Sequence, residues 1–265
     1  MIKSVFIMTD LEGVSGVVSF SEQAYESGRY YEQAKKLLSA EINAAIEGML
    51  EEGVEDIIIL DAHGPGGICF EMLHPAAKLI HGRPLSHKWV DVLKRYEASI
   101  MIGQHAMCGT PDGNLNHTQC SRDTEYYKLN GQMIGETAQF CLLCGGLNIP
   151  MIFLSGDTAA CRETEALVSG ITTAAVKEGL SRGCATSLAQ AAAHKKIKDG
   201  ARRALQKQAK TPLAPLKWPG PYTLEKRYLF TDSADGAEKH PLFHKRIDAK
   251  TVQFHSDDIL KIIYS

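Results

Sequence analysis

The chain has 265 residues, 44% of them apolar, and a formal net charge of -2, enough for a full core and too evenly charged for a nucleic-acid footprint. No run of eighteen apolar residues marks a transmembrane helix, and the short apolar run after Lys3 is not a signal peptide. Seven cysteines without scaffold spacing fit a reducing compartment, so a cytoplasmic protein with no nucleic-acid or membrane partner is expected.

The first element is a buried strand, Val5-Phe6-Ile7-Met8, that runs into Asp10 and Glu12, with Gly13 and Gly16 just beyond. Alternation puts the two carboxylates on one face at the strand's carboxyl end if the strand holds to Asp10. Residues 30–52 read as an amphipathic helix on Leu38, Ile42, Ala45 and Met49, stopped by Gly53. Residues 54–60 form a second buried strand, closed by Asp61-Ala62-His63 and a Gly-Pro-Gly-Gly loop. Strand, helix and strand make a right-handed parallel βαβ unit.

A short strand is expected at 76–81, a helix at 87–96, and a third apolar strand at 98–103 that delivers Gln104 and His105. After a Gly-, Pro- and Asn-rich loop, 126–134 reads as a hairpin on an Asn130-Gly131 type I′ turn. A helix follows from Gly135-Glu136 to about Gly145, then a strand at 150–154 and a helix from Thr158. Further on come a strand at 171–176, a long helix at 187–208, a Pro-rich linker at 211–221, and strands at 222–230 and 247–254. The expected architecture is α/β: a mostly parallel sheet flanked by helices over residues 1–185, with a smaller α+β part over 186–265.

In a parallel sheet the strand ends converge on one rim, which is where open α/β folds gather ligands. That rim would collect Asp10, Glu12, Asp61, His63, His105 and Glu136. Each has an ordinary explanation taken alone. Asp61 caps its glycine loop more readily than it binds metal, His63 and His105 are equally loop or core histidines, and Glu136 suits a helix amino terminus. Their recurrence at successive strand ends points instead to a metal site. Two imidazoles and three carboxylates exceed one tetrahedral ion's needs and suit two ions about 3.5–4 Å apart under a bridging carboxylate. The Gly64–Gly67 loop lacks the residues of a phosphate loop, and Cys141/Cys144 read as a buried thiol pair on a helix.

Asp-x-Glu-Gly-x-Ser-Gly at 10–16, Asp-x-His at 61–63, His105-Ala106, Thr110-Pro111 leading to His117, Gly135-Glu136, Ser155-Gly156-Asp157 and the run 172–177 together resemble the D-aminopeptidase family of dizinc metallopeptidases. The resemblance implies two zinc ions per subunit. Asp10, Glu12 and His63 would hold one, and Asp10, His105 and Glu136 the other, with Asp10 bridging. It also implies His117 as catalytic nucleophile or base on a mobile loop, short peptides with an N-terminal D-residue as substrates, and a homodecamer. The segment from His105 to His117 is one residue longer than the family pattern. An L-aminopeptidase or amidase, a dimetal phosphoesterase (although its usual Asn-His ligand motif is missing), and a non-catalytic metal- or peptide-binding protein share this ligand chemistry. The roles of Asp157 and Lys177 stay open, and base rates make Lys177 a surface residue.

Overall fold

The structure is a computed structural model that describes residues 1–265. In chain order its strands and helices are β1 (Ser4–Thr9), α1 (Tyr31–Glu51), β2 (Asp56–Asp61), β3 (Ala77–Ile80), α2 (Trp89–Leu93), β4 (Ala98–Gln104), β5 (Thr124–Leu129), β6 (Gln132–Ile134), α3 (Glu136–Gly146), β7 (Met151–Asp157), α4 (Thr158–Leu167), β8 (Thr172–Ser181), β9 (Cys184–Ser187), α5 (Gln190–Lys210), β10 (Tyr222–Tyr228), α6 (Thr231–Ala237), β11 (Phe243–Arg246), β12 (Thr251–Ser256) and α7 (Ile259–Ile262). Single turns of π- and 3-10 helix cover Phe20–Ala24 and Phe70–Met72.

Seven strands make the main sheet in the order β3-β2-β1-β4-β7-β8-β9, parallel throughout except for β9, which returns antiparallel beside β8. Both faces are buried, which is why β1 reads as an unbroken apolar run instead of an alternating one. Val5 and Ile7 point towards α1 and α5 on one side. Phe6 and Met8 point to the opposite core with α3 and the second sheet. The chain leaves β1 towards β2 and β3, then crosses to β4 on the other side, so the strand order reverses between β1 and β4. Ligands of open α/β sheets bind at such a reversal, outside the carboxyl ends.

The second sheet is antiparallel, in the order β11-β12-β10-β5-β6. The expected hairpin is there: Asn130 (φ 49°) and Gly131 (φ 81°) both adopt the left-handed backbone of a type I′ turn. The two sheets do not divide the chain at 185/186. The β5–β6 hairpin is built into the second sheet, while α5, from the expected smaller part, packs on α1 and the first sheet. The Pro-rich stretch 211–221 lacks regular structure, as read, but it is not a free linker. Leu213, Leu216 and Trp218 pack on the core. The Leu216 carbonyl lies so close to Gly145 of α3 that an added Cβ would sit 1.6 Å from it. Three apolar side chains among the prolines anchor it, and a compositional reading gives them too little weight.

Candidate metal centre

The rim forms where β1 and β4 end. Asp10 N–H donates to the Ile102 carbonyl (2.9 Å) and Gly13 N–H to the Gly103 carbonyl (2.7 Å), which folds the Asp10–Gly13 turn onto the end of β4. Only glycine allows this approach: a Cβ on Gly103, itself at φ 78°, would lie 2.1 Å from the Asp10 carbonyl oxygen. Asp10, Glu12, His63, His105 and His117 are all buried there, and Glu136 is partly buried.

Asp10 is shared between two imidazoles. Its Oδ1 lies 3.1 Å from His63 Nδ1, and its Oδ2 lies 3.1 Å from His105 Nε2. His63 Nδ1 is also 3.0 Å from Glu12 Oε2, and His105 Nε2 is 3.4 Å from Glu136 Oε1. The outer nitrogen of each ring is occupied by a backbone carbonyl: His63 Nε2 donates to Ala24 O (2.8 Å) and His105 Nδ1 to Ala106 O (2.9 Å). A carbonyl can only accept, so a neutral ring in either position aims a lone pair at two carboxylates. Such an arrangement is repulsive unless a proton or a cation lies between them. Without a metal the proton wins: although burial opposes it, the surrounding carboxylates hold both His63 and His105 well above the ordinary histidine range. The same imidazoles outweigh the burial of Asp10 and Glu136 and keep both below the usual carboxylate range.

Two atoms of the cluster make no well-aligned hydrogen bond despite these short contacts, Glu12 Oε2 and His105 Nε2. Nitrogen and oxygen ligands about 2.0–2.2 Å from a tetrahedral ion are themselves about 3.3 Å apart, and the 3.0–3.4 Å contacts here match that edge length. Carbonyl-anchored imidazoles and paired carboxylates are also the outer-shell arrangement that metal-binding histidines adopt. The donor set fits a zinc-like ion.

His117 lies beside this cluster. Its ring stacks on His105, with centroids 3.9 Å apart, and its Nε2 is 3.9 Å from Glu136 Oε1. Two residues earlier Leu115 adopts φ 54°, a costly conformation for a leucine, and so turns its carbonyl to accept from His117 Nδ1 (2.9 Å). In the neutral ring Nε2 is then the free base. Burial and the neighbouring His105 charge hold His117 below the ordinary histidine range. The loop that carries it is tied at several points, contrary to the mobile loop expected. Asn116 accepts from Gly109 N–H and donates to the Thr110 and Gly113 carbonyls, and Asp157 accepts from Asn114 N–H. Asp157 also caps α4 through Ala160 N–H.

Other supports were hidden in the sequence. Asp61 caps the glycine loop through Gly67 N–H (2.8 Å), the ordinary reading of that residue, while Arg83 ties the Asp61, His63 and Gly64 carbonyls together. Lys177 is buried, not a surface lysine, and donates to the Glu12 and Val17 carbonyls from beneath the Asp10–Val17 turn. A register shift pairs Gly156 with Ala175 but Asp157 with Lys177, so Val176 and Lys177 are both buried. The only trace of this in the sequence is a single lysine directly after the apolar run Ala174-Ala175-Val176.

A cavity of about 520 Å³ opens over the rim, within the usual size of a small-ligand site. Asp10, Glu12, His63, His117 and Glu136 line one part of it, and Trp89, Leu143 and Tyr264 line an apolar part. A family model described as D-aminopeptidase matches residues 3–265. The chain belongs to the D-aminopeptidase family. Among curated relatives, the D-aminopeptidase of Bacillus subtilis is 28% identical over 260 residues, spanning 97% of this chain and 93% of that one. The solved structure of the Zn-dependent D-aminopeptidase DppA from Bacillus subtilis, described as a self-compartmentalizing protease, superposes with a TM-score of 0.89. It shares 26% identity and covers 98% of this chain and 94% of its own. The α/β architecture read from the strands thus agrees with a known peptidase of this family. No helix of the structure is long and apolar enough to cross a membrane.

Proposed function

We propose that this D-aminopeptidase family member hydrolyses short peptides with an N-terminal D-residue, such as D-Ala-D-Ala, at a dinuclear zinc site in the cytoplasm. Asp10, Glu12 and His63 would hold one ion and Asp10, His105 and Glu136 the other. The observation that carries the reading is the division of Asp10, one oxygen to each imidazole, which is what a bridging carboxylate requires. When bound, the metal would polarise the scissile carbonyl and favour ionisation of the attacking water.

The chain's own groups supply the rest. His117 Nε2, neutral and oriented by the Leu115 carbonyl behind the ring, would take a proton from the nucleophile and return it to the leaving amine. The carboxylates on the rim favour a cationic substrate amine over a blocked one, as an aminopeptidase needs. By analogy with the self-compartmentalizing relative, we further propose a homo-oligomer, ten chains in a closed shell, which mass measurement in solution would test.

The decisive experiment measures D-alanine release from D-Ala-D-Ala, beside L-Ala-L-Ala and a phosphate monoester, after chelation and after zinc is restored. Zinc-dependent release from the D-peptide alone supports the proposal. Turnover of the L-peptide or the ester would replace the substrate class, and metal binding without turnover would leave a binding protein.

A further inference from the structure

The cavity over the rim is lined by carboxylates and imidazoles, but by only one residue with a permanent positive charge, Arg122. Its guanidinium lies over the Tyr25 ring, 3.6 Å from the centroid. Tyr25 stacks on Phe20, with centroids 5.6 Å apart and planes at 21°, and Phe20 meets His117 edge-on at 5.4 Å. Arg182 lies over Phe20 as well, 4.6 Å from its centroid, and is tied down by a bond from its Nε to the Asn116 carbonyl. Tyr25 is fixed in turn by its hydroxyl, 3.0 Å from Ser121 Oγ. A chain of aromatic contacts, stacked at Tyr25–Phe20 and edge-on at Phe20–His117, therefore joins Arg122 to His117.

Unlike Arg162, Arg227 and Arg246, Arg122 forms no ion pair within the chain, and among the arginines without one (Arg29, Arg95, Arg182 and Arg203 are the others) it alone lines the cavity. A guanidinium held by its face against a ring keeps its edge free, and that edge presents paired N–H donors matched to a carboxylate. Its position in the cavity is consequential because the rim already favours the opposite end of a peptide, the free amine.

Building on the function proposed above, we propose that Arg122 binds the C-terminal carboxylate of the substrate, so that the enzyme selects short peptides with a free acid end over C-terminally blocked ones. Arg122 is a specificity residue, not a catalytic one. The rim holds the amino end and the scissile bond, and Arg122 holds the other end, which limits the length of chain that satisfies both.

The test compares D-Ala-D-Ala with D-Ala-D-Ala amide on the zinc-loaded enzyme, in wild type, Arg122→Gln and Arg122→Lys. Wild type should favour the free acid by on the order of 10–100-fold in kcat/KM, the scale of a charge-assisted pair. Arg122→Gln should erase that preference through KM, and Arg122→Lys should retain part of it, as a point charge without the fork. Equal turnover of acid and amide by wild type, or a preference that survives in Arg122→Gln, would overturn the assignment while leaving the peptidase reading intact. No turnover of either by wild type would overturn the peptidase reading and this assignment with it.

Discussion

The two halves of the rim share Asp10 but are built differently. The Glu12–His63 half comes from the two tight turns that follow β1 and β2, close in sequence to the strands that place them. It rests on buried titratable groups, with Lys177 beneath the Glu12 carbonyl and Glu41 accepting from Ser15 N–H (2.9 Å). The Glu136–His105 half is assembled from a long loop and from the start of α3 after the hairpin, and is held by bonds from the Asn116 side chain to the Thr110 and Gly113 carbonyls and from Asn114 N–H to the Asp157 carboxyl. Only this second half carries an additional, neutral imidazole. On the function proposed above, the difference amounts to a division of labour in which one half would fix the bridging carboxylate and the other would place the base.

Replacing the shared residue should have the largest effect. Asp10→Asn should empty both halves at once, with zinc well below one ion per chain by atomic emission. Its activity loss should reach or exceed the roughly 10²–10⁴-fold of a missing general base. Retention of one full equivalent of zinc would mean that the halves do not share a ligand. His117→Ala is the sharper probe of asymmetry: kcat should fall by roughly 10²–10⁴-fold while zinc stays at two per chain. Loss of one ion would place His117 among the ligands.

Asn116→Ala should act on the second half alone, leaving Gly109 N–H and the Gly113 carbonyl without their side-chain partner, while the Thr110 carbonyl keeps Gly113 N–H, at a cost of about 1–3 kcal/mol. Thermal melting should show the loss, and kcat should fall more than metal content does. Equal damage to both would mean the loop also holds the ion.

The smallest effect belongs to the first half and depends on pH. Burial pushes the Glu41 carboxyl up to about 8, against an ordinary 4.5, although Ser15 N–H and Lys177 oppose it. Between those values the folded chain holds a proton that the unfolded chain has released, so stability is greatest at the acid end and declines as pH rises towards 8. A tenfold difference in proton affinity between the folded and unfolded chain corresponds to about 1.4 kcal/mol. Glu41→Gln should flatten this decline in denaturant titrations between pH 5 and 8, a window kept below 8 because Lys177, lowered to about 8 by burial, titrates in the opposite sense above it. An unchanged slope in the variant would remove Glu41 as its source.

Sequence reading carried furthest where one element sufficed. The apolar runs of β1, β2, β4 and β7 are fully buried parallel strands, and the acidic and imidazole residues at their ends are chemically conspicuous, so Asp10, Glu12, His63 and His105 could be named from local pattern. The hairpin at Asn130-Gly131 was legible for the same reason. What stayed hidden depends on partners distant in the chain. Lys177 is turned inwards by a strand-register shift, a property of the pair β7–β8 and not of either strand alone. The ties within the His117 loop depend on Asp157 and Arg182, far along the chain. Placing β5 and β6 in the second sheet required β10, whose Leu224 pairs with Leu129, and periodicity carries no information about that choice.

The braiding of the second sheet also sets an order of assembly. Glu136 begins the helix that follows β6. That helix is secured at Gln139, whose side chain donates to the Ile263 carbonyl (2.7 Å) beyond α7. As the ribosome delivers the chain from the amino terminus, Asp10, Glu12, His63 and His105 can meet while the last third is still unmade. The helix that begins at Glu136 gains its Gln139–Ile263 tie only once the carboxyl-terminal residues have been made. The complete set of contacts around the rim therefore belongs to the finished polypeptide, not to its amino-terminal two thirds alone.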